Sequence, residues 1–420
     1  MARECSAHSL DFAALLRAGD WITWGQVAAE PTTLTEAMLA QQERLPPISA
    51  FVGMSWGTPL DSTGDGAIQF FSYCGAAKNR GLEQAGRLTI LPSSYLELPT
   101  VLADRIDVLM LNLADDGEGH FSFGAAHEYL VPLVDRARLV IAEVNDQTPW
   151  THGERVLRPD DIDIIVRTSR PLAPPPRTKP GEADFAIARH VAGLVEDGAT
   201  LQIGIGALPE TILSALSGHR DLGLHTGLVT DGVVDLIEQG VLTNARKTLD
   251  PGISVAGFAA GGRRLLDHLH KNRSFCFRQT ADTHRSAVLE RLDRFTSINA
   301  ALEVDLTGQV NAEVAGGRYV GAVGGAGDFL RGALRSRGGV PIVALPATVT
   351  DRDGVACSRI VAALSGPVST PRSDVGFIIT EYGIADLRAQ TLPERRRRMI
   401  AIAAPQFREM LEHAAAADTP

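Results

Sequence analysis

Apolar residues in this chain fall into short, almost unbroken runs separated by longer stretches with helical spacing. In the first half the runs are "RIDVLMLNL", "ARLVIAEVN" and "IDIIV"; in the second they are "LQIGI", "TSINAALEVDL", "VPIVALP" and "VGFIIT". A strand that is apolar on both faces is buried on both faces, as in a parallel sheet covered by helices. The pattern predicts an α/β fold with mainly parallel sheets flanked by helices. In such folds ligands sit outside the carboxyl ends of the strands.

The pattern begins twice. "LRAGDWITWGQVAAEPTTLTEAML" and "VEDGATLQIGIGALPETILSAL" each run from a helix end through a glycine stop, a β-rich run and a second glycine to a proline and an amphipathic helix. Gly19 and Gly25 have the same spacing as Gly198 and Gly204, and Pro31 and Pro209 fall near helix starts, where proline is tolerated. An internal duplication into two similar domains follows. Between them lies "SRPLAPPPRTKPGEAD", Ser169 to Asp184, whose five prolines resist both helix and strand. The expected domains are therefore 1–175 and 185–420.

Composition changes this picture little. Of 420 residues, 45% are hydrophobic and 21% charged, as in ordinary globular proteins. A net charge of −10 leaves no electrostatic footprint for nucleic acid. Cys5, Cys74, Cys276 and Cys357 show no C-x-x-C spacing, which speaks against a disulfide framework or a cysteine-rich metal site and for reduced thiols in a cytoplasmic protein. No metal, membrane or nucleic-acid partner is expected. The beginning of the chain has early acidic residues and no long apolar run, unlike a signal peptide, and no window reaches the length of a membrane helix. The basic run "ERRRRM" reads as a solvated helix face, with a role against a phosphate-bearing ligand or a partner subunit as the sharper alternative.

Four stretches could carry chemistry. In "QIGIGALPETI" a strand enters a glycine turn that opens a helix, where bare N–H groups suit a phosphate or an oxyanion. The plain alternative is a tight turn that needs positive φ. It is not the dinucleotide fingerprint, because Pro209 stands where the third glycine of G-x-G-x-x-G belongs, so a nucleotide-dependent oxidoreductase is a remote reading. "GAVGGAGDFLRGAL" exposes backbone before a helix that Asp328 could cap. In "LGLHTGLVTDG", His225 is either a base or a satisfied core histidine, and Thr230 and Asp231 are N-cap residues for a helix ending at Gly240. In "ITEYGIADLR", Glu381 and Tyr382 follow a buried strand and could reach a cleft.

Taken in order, "VIAEVNDQTPWTHG", "GATLQIGIGALPETIL", "LGLHTGLVTDGVVDLIEQGVLTNARK", "SINAALEVDLTGQVNAE", "VGGAGDF", "SRIV", "TEYGIADLR" and "APQFREML" resemble the acetyl-CoA hydrolase/transferase family, in its 4-hydroxybutyrate CoA-transferase type. The resemblance spans nearly the whole chain. It implies two α/β domains of the CoA-transferase type, a cytoplasmic homo-oligomer, and coenzyme A bound as acyl-CoA mainly by the C-terminal domain. The implied CoA-contacting residues are Gly204, Ile205, Gly206, Ala207 and Leu208, with Asn299, Gly324, Gly325 and Thr348.

In that family a glutamate attacks the thioester. The acyl-glutamyl anhydride so formed becomes a glutamyl-CoA thioester, and a second carboxylate collects the CoA. The glutamate lies in a motif of the form H-[ST]-E-x-x-[ST]-D-G. This chain reads His225, Thr226, Gly227, then Thr230, Asp231, Gly232, so the surroundings match and the nucleophile is absent. Ala326 likewise stands where the family usually has glutamine. Three expectations follow: hydrolysis by water, with His225, Glu303 or Glu381 as base; acyl transfer to a different acceptor; or acyl-CoA binding without turnover.

Overall fold

A computed structural model describes residues 2–60, 64, 66–351 and 353–417. The chain divides into two compact units. Unit 1 comprises Met1–Arg177, Gly227–Asp231 and Ile253–Thr283; unit 2 comprises Thr178–Thr226, Gly232–Gly252 and His284–Pro420. The proline-rich stretch thus marks the first change of unit. Two later segments, 227–231 and 253–283, cluster with unit 1 although they lie beyond that stretch.

Unit 1 is built on one sheet. Across it the strands run Arg3–Glu4, Ile164–Thr168, Leu139–Asn145, Val108–Asp115, Trp21–Trp24, Ile48–Phe51, Ile68–Ser72 and Leu88–Ile90, all parallel. The predicted run "VLMLNLA" is buried along its length, as a central parallel strand must be. Ile22, Trp24, Met110, Ile141 and Val166 form the core with Phe12, Leu34 and Met38 from the flanking helices. Each such side chain removed from water contributes roughly 1.5–3 kcal/mol. The strand Trp21–Trp24 has its successor in sequence on one side and Val108–Asp115 on the other. The strand order therefore reverses beside it, which opens a crevice at its carboxyl end.

Glu143 shows how buried polar groups are settled here. Its carboxylate accepts the backbone N–H groups of Thr33 and Leu34 at 2.9 and 3.3 Å and the Thr33 hydroxyl at 2.8 Å, which caps the helix Thr32–Leu39.

Unit 2 contains a six-stranded sheet in the order Gly223–Leu224, Thr200–Ile203, Phe295–Ala300, Val340–Ala344, Phe377–Thr380 and Gly383–Asp386. All pairs are parallel except the last. "TSINAALEVDL", read as one run, is split: the strand Phe295–Ala300 ends, and Glu303–Asp305 joins a separate small sheet with Val310–Asn311 and Ile360–Val361. The helix Ala326–Arg335 covers Phe295–Ala300 and Val340–Ala344, packing Phe329 and Ala333 on Phe295 and Leu289. The reversal of strand order falls between Thr200–Ile203 and Phe295–Ala300. The two openings that look alike in sequence, after Gly19 and after Gly198, thus supply the strand beside the reversal in each unit. Both glycines have positive φ, +90 and +77°.

Candidate active site

In unit 1 the carboxyl ends of four neighbouring strands bring together a buried polar cluster. Gln26 follows Trp21–Trp24, Gly53 and Met54 follow Ile48–Phe51, Tyr73 follows Ile68–Ser72, and Tyr95 lies beyond Leu88–Ile90. Glu128 and Tyr129 come from the loop after the buried bridge at Ala126. Gln26 accepts the Met54 N–H at 2.9 Å and the Tyr73 hydroxyl at 2.8 Å through Oε1. Its amide nitrogen is thereby turned toward Glu128, whose two carboxyl oxygens it reaches at 3.0 and 3.1 Å, and toward the Tyr95 oxygen at 2.6 Å. The Tyr95 hydroxyl also bonds Glu128 Oε2. Gly53 has to be glycine for this to fit, since a Cβ there would lie 2.6 Å from Gln26 Cβ.

No cation faces Glu128 within this cluster, and burial raises its carboxyl to about 8. Tyr73, Tyr95 and Tyr129 are pushed well above their ordinary value by the same burial. The adjacent His127 is pushed down to about 3, with Nε2 at 3.0 Å from the Thr151 hydroxyl. Burial thus favours the neutral carboxyl of Glu128, while the bonds from Tyr95 and Gln26 favour its ionised form.

Gly227 belongs to the same unit. Its carbonyl accepts N–H groups from Gly257 and Phe258 at 3.0 and 3.1 Å, and Leu228–Val229 pairs with Phe258–Ala259. A Cβ on Gly257 would lie 2.8 Å from the Gly227 oxygen and 3.7 Å from Glu128 Cβ. Asp231 accepts the Gly262 N–H at 2.8 Å and stands inside its helix, Asp231–Glu238, rather than before it. The helix stops as expected, with Gly240 at φ +72°.

In unit 2 the strand Thr200–Ile203 ends in Gly204, whose N–H bonds the Ile298 carbonyl at 3.2 Å. Gly204, Ile205 and Gly206 then turn into the helix Ala207–Ala215, with Gly206 as its N-cap at φ 124°. Ala207 and Leu208 form its first turn. Asn299 lies beside this turn and exchanges amide bonds with Gln202 at 3.0 and 3.2 Å. Gly324, at φ +57°, and Gly325 lead into the helix Ala326–Arg335. A Cβ on Gly325 would meet His284 Nε2 at 2.5 Å. Asp328 is in the first turn of this helix, where it favours the dipole, and Gly325 takes the cap position instead.

The remaining sequence candidates lie in unit 2, in differing surroundings. His225 is fully buried, edge-on to Phe295, and its backbone N–H bonds the Leu201 carbonyl at 2.9 Å. The Glu381 carboxylate accepts the Ala347 N–H at 2.8 Å, next to Thr348, which opens a hairpin with Ser358. Glu303 holds Ser365 and Gly366 by their N–H groups at 2.6 and 3.1 Å and Asn311 by its amide at 2.9 Å. In "ERRRRM", Arg397 and Arg398 pair with Glu394, while Arg395 reaches the Thr307 and Arg372 carbonyls. Among the described residues one group, Asp116, Glu118 and His120, gathers three possible metal-ligand atoms, and Asp116 spends one oxygen on the N–H groups of its own loop. No helix among them is long and apolar enough to cross a membrane.

The buried Glu128 thus lies beside the strand-order reversal of unit 1, and the glycine turns of unit 2 lie beside the other, the positions at which α/β sheets bind ligands. This chain belongs to the acetyl-CoA hydrolase/transferase family: residues 6–173 match the family's N-terminal domain and residues 261–415 its C-terminal domain. It is 38% identical to the 4-hydroxybutyrate coenzyme A transferase of Clostridium kluyveri over 79% of this chain and 78% of that one. It is 32% identical to the butyryl-CoA:acetate CoA-transferase of Anaerostipes caccae over 94% and 92%. Among solved structures, RipA from Yersinia pestis superposes with a TM-score of 0.90 at 33% identity, covering 99% of this chain and 97% of that one.

Sequence reading did not single out Gln26, Tyr73, Tyr95 or Glu128. Their spacing carries no motif, since a hundred residues separate the first from the last. One local signal was available: in "AAHEYL" a carboxylate stands among small, aromatic and apolar residues with no basic Lys or Arg beside it.

Proposed function

We propose that this chain turns over a short acyl-CoA thioester, as an acyl-CoA hydrolase or CoA-transferase with water or a carboxylate as acceptor, and without the usual glutamyl nucleophile. The observation that carries this reading is the pairing of family matches over residues 6–173 and 261–415 with glycine at position 227. Coenzyme A is held by the C-terminal domain, 185–420, at Gly204–Leu208, Asn299, Gly324, Gly325 and Thr348. Two glycine turns at one sheet end leave N–H groups and backbone open to a phosphate-bearing chain. The N-terminal domain, 1–175, completes the CoA-transferase pair. The protein works in the cytoplasm as a homodimer. For a base to activate water, His225, Glu303 and Glu381 are the sequence candidates.

Glycine at 227 also favours a second reading, an acyl-CoA-binding protein or an acyltransferase using a different acceptor, because no side chain there can carry the acyl group. The test is a mass-spectrometric readout of the CoA pool after incubation with acetyl-CoA and excess isotopically labelled propionate. Labelled propionyl-CoA means transfer, and free CoA above a no-protein control means hydrolysis. An unchanged pool with tight CoA binding leaves the binding protein. Gly227→Glu is expected to create or raise transfer, and no gain would show that more than the nucleophile is missing.

A further inference from the structure

Near the start of unit 2 the helix Glu182–Ala192 packs beside Ala207–Ala215, the helix that follows the Gly204–Gly206 turn. Its inner face is apolar, with Ile187, Ala188 and Val191 buried. Phe185 stays off that face and is 51% exposed. Its ring borders a groove of about 450 Å³ between the two helices, with Ala188 and Arg189 on the same side and Ala207, Thr211 and Ser214 on the other. That volume is in the range of small-molecule sites, and every lining residue falls within 178–215, inside unit 2.

The groups along the groove are matched to one kind of ligand. Arg189 stands one turn beyond Phe185 on the same helix face, and among the described residues its guanidinium has no hydrogen bond or ion pair. The Thr211 and Ser214 hydroxyls spend their protons on the Ala207 and Glu210 carbonyls at 2.8 and 3.1 Å, so what they offer a ligand is lone pairs. Glu210 spends one carboxyl oxygen on the Gly232 N–H at 3.0 Å. An exposed aromatic ring takes a planar base on its face, and a free guanidinium takes a phosphate. Hydrogen-bond acceptors take an exocyclic amino group.

We propose that this groove holds the adenosine end of coenzyme A, with the base stacked on Phe185 and a phosphate at Arg189. The proposal rests on the acyl-CoA reading above and names the part of the ligand that lies here. Continuity supports this occupant. The groove reaches Ala207, the first helical residue after the glycine turn assigned to coenzyme A, so a chain leaving the groove there meets Gly204–Gly206 directly. Thr348 is tied to the same helix. The N–H of Arg359 bonds the Ala347 carbonyl at 2.8 Å, next to Thr348, and Asp184, the neighbour of Phe185 in sequence, is one of two carboxylates that act electrostatically on the Arg359 guanidinium.

The experiment titrates the full chain calorimetrically with coenzyme A and, separately, with adenosine 3′,5′-bisphosphate, the nucleotide end alone. Wild type is compared with Phe185→Ala, Phe185→Trp and Arg189→Ala. Both positions are exposed, so the variants should melt with wild type. Phe185→Ala is expected to weaken both ligands roughly tenfold, the loss of one stacked base, and Phe185→Trp to keep both within about threefold of wild type. Arg189→Ala should weaken both about three- to tenfold in low salt and by less in high salt, where a contact with phosphate is screened. Affinity for coenzyme A that is unchanged in Phe185→Ala overturns the proposal and leaves the acyl-CoA reading intact. Bisphosphate binding that depends on Phe185, in a chain that turns over no thioester, supports the groove and removes that reading. If wild type binds neither ligand, both fall.

Discussion

The two units place opposite chemistry at the same topological position. Beside Thr200–Ile203, unit 2 offers glycine turns and open backbone, with Asn299 and Gln202 satisfying each other. Beside Trp21–Trp24, unit 1 offers side chains: a glutamine, three tyrosines and a glutamate whose carboxyl burial pushes up, all closed off from solvent. Both come from the same opening of strand, glycine and proline-marked helix. A glycine, Gly25 or Gly204, follows the strand in both; what differs is the next residue, Ile205 in unit 2 and, in unit 1, Gln26, which begins a hydrogen-bond network. One sheet end is thus lined by backbone turns and the other by a closed network of polar side chains.

The sharpest way to break this contrast is to remove the titratable proton from unit 1. The folded pKa of Glu128 is raised, so between about 4.5 and 8 the folded state binds a proton that the unfolded state has released. This contribution to stability is present below the unfolded value and is lost as pH rises through the folded one, with a slope of order one kcal/mol per pH unit. Glu128→Gln should therefore become progressively more stable than wild type across that window. Urea midpoints at several pH values would read the slope, and a difference independent of pH would refute the neutral buried acid.

A smaller effect is expected from crowding the network. Gly53→Ala brings a methyl against Gln26 and should cost about 1–3 kcal/mol, read by thermal melting. In unit 2 the comparable change is Asn299→Ala, which leaves the Gln202 amide without its buried partner, at about 1–2 kcal/mol. If the two readings of the sheet ends are right, Asn299→Ala also weakens CoA binding and Gly53→Ala does not, as calorimetric titration would show. The smallest effect belongs to Glu303→Gln. Its carboxylate ties down Ser365 and Gly366, so CoA turnover should change less than twofold while melting shifts slightly.

Much of this was legible in the chain. The strands in "LVIAEVN", "VPIVALP" and "GFIIT" are apolar over most of both faces, as strands of a sheet covered on both sides are. The glycine turns of unit 2 were legible because a turn is local: Gly204 and Gly206 are two residues apart. "TSINAALEVDL" misled, because its apolar content continues past Ala300 while the chain changes sheet. The unit 1 cluster was not legible at all. Gln26, Tyr73, Tyr95 and Glu128 meet only because four parallel strands end side by side, and the order of strands is not written in the spacing of residues.

The discontinuity of the units has a consequence for how the protein is made. Unit 1 draws on residues 227–231 and 253–283, which include the pairing of Leu228–Val229 with Phe258–Ala259 around Gly227. A ribosome that has produced the entire main sheet of this unit, through Thr168, still has more than a hundred residues to add before the unit is complete. The segment bearing Glu128 emerges early and must wait for Gly257 to close over it. Cleavage at the proline-rich stretch would thus yield two fragments that need each other's sequence, not two independent proteins.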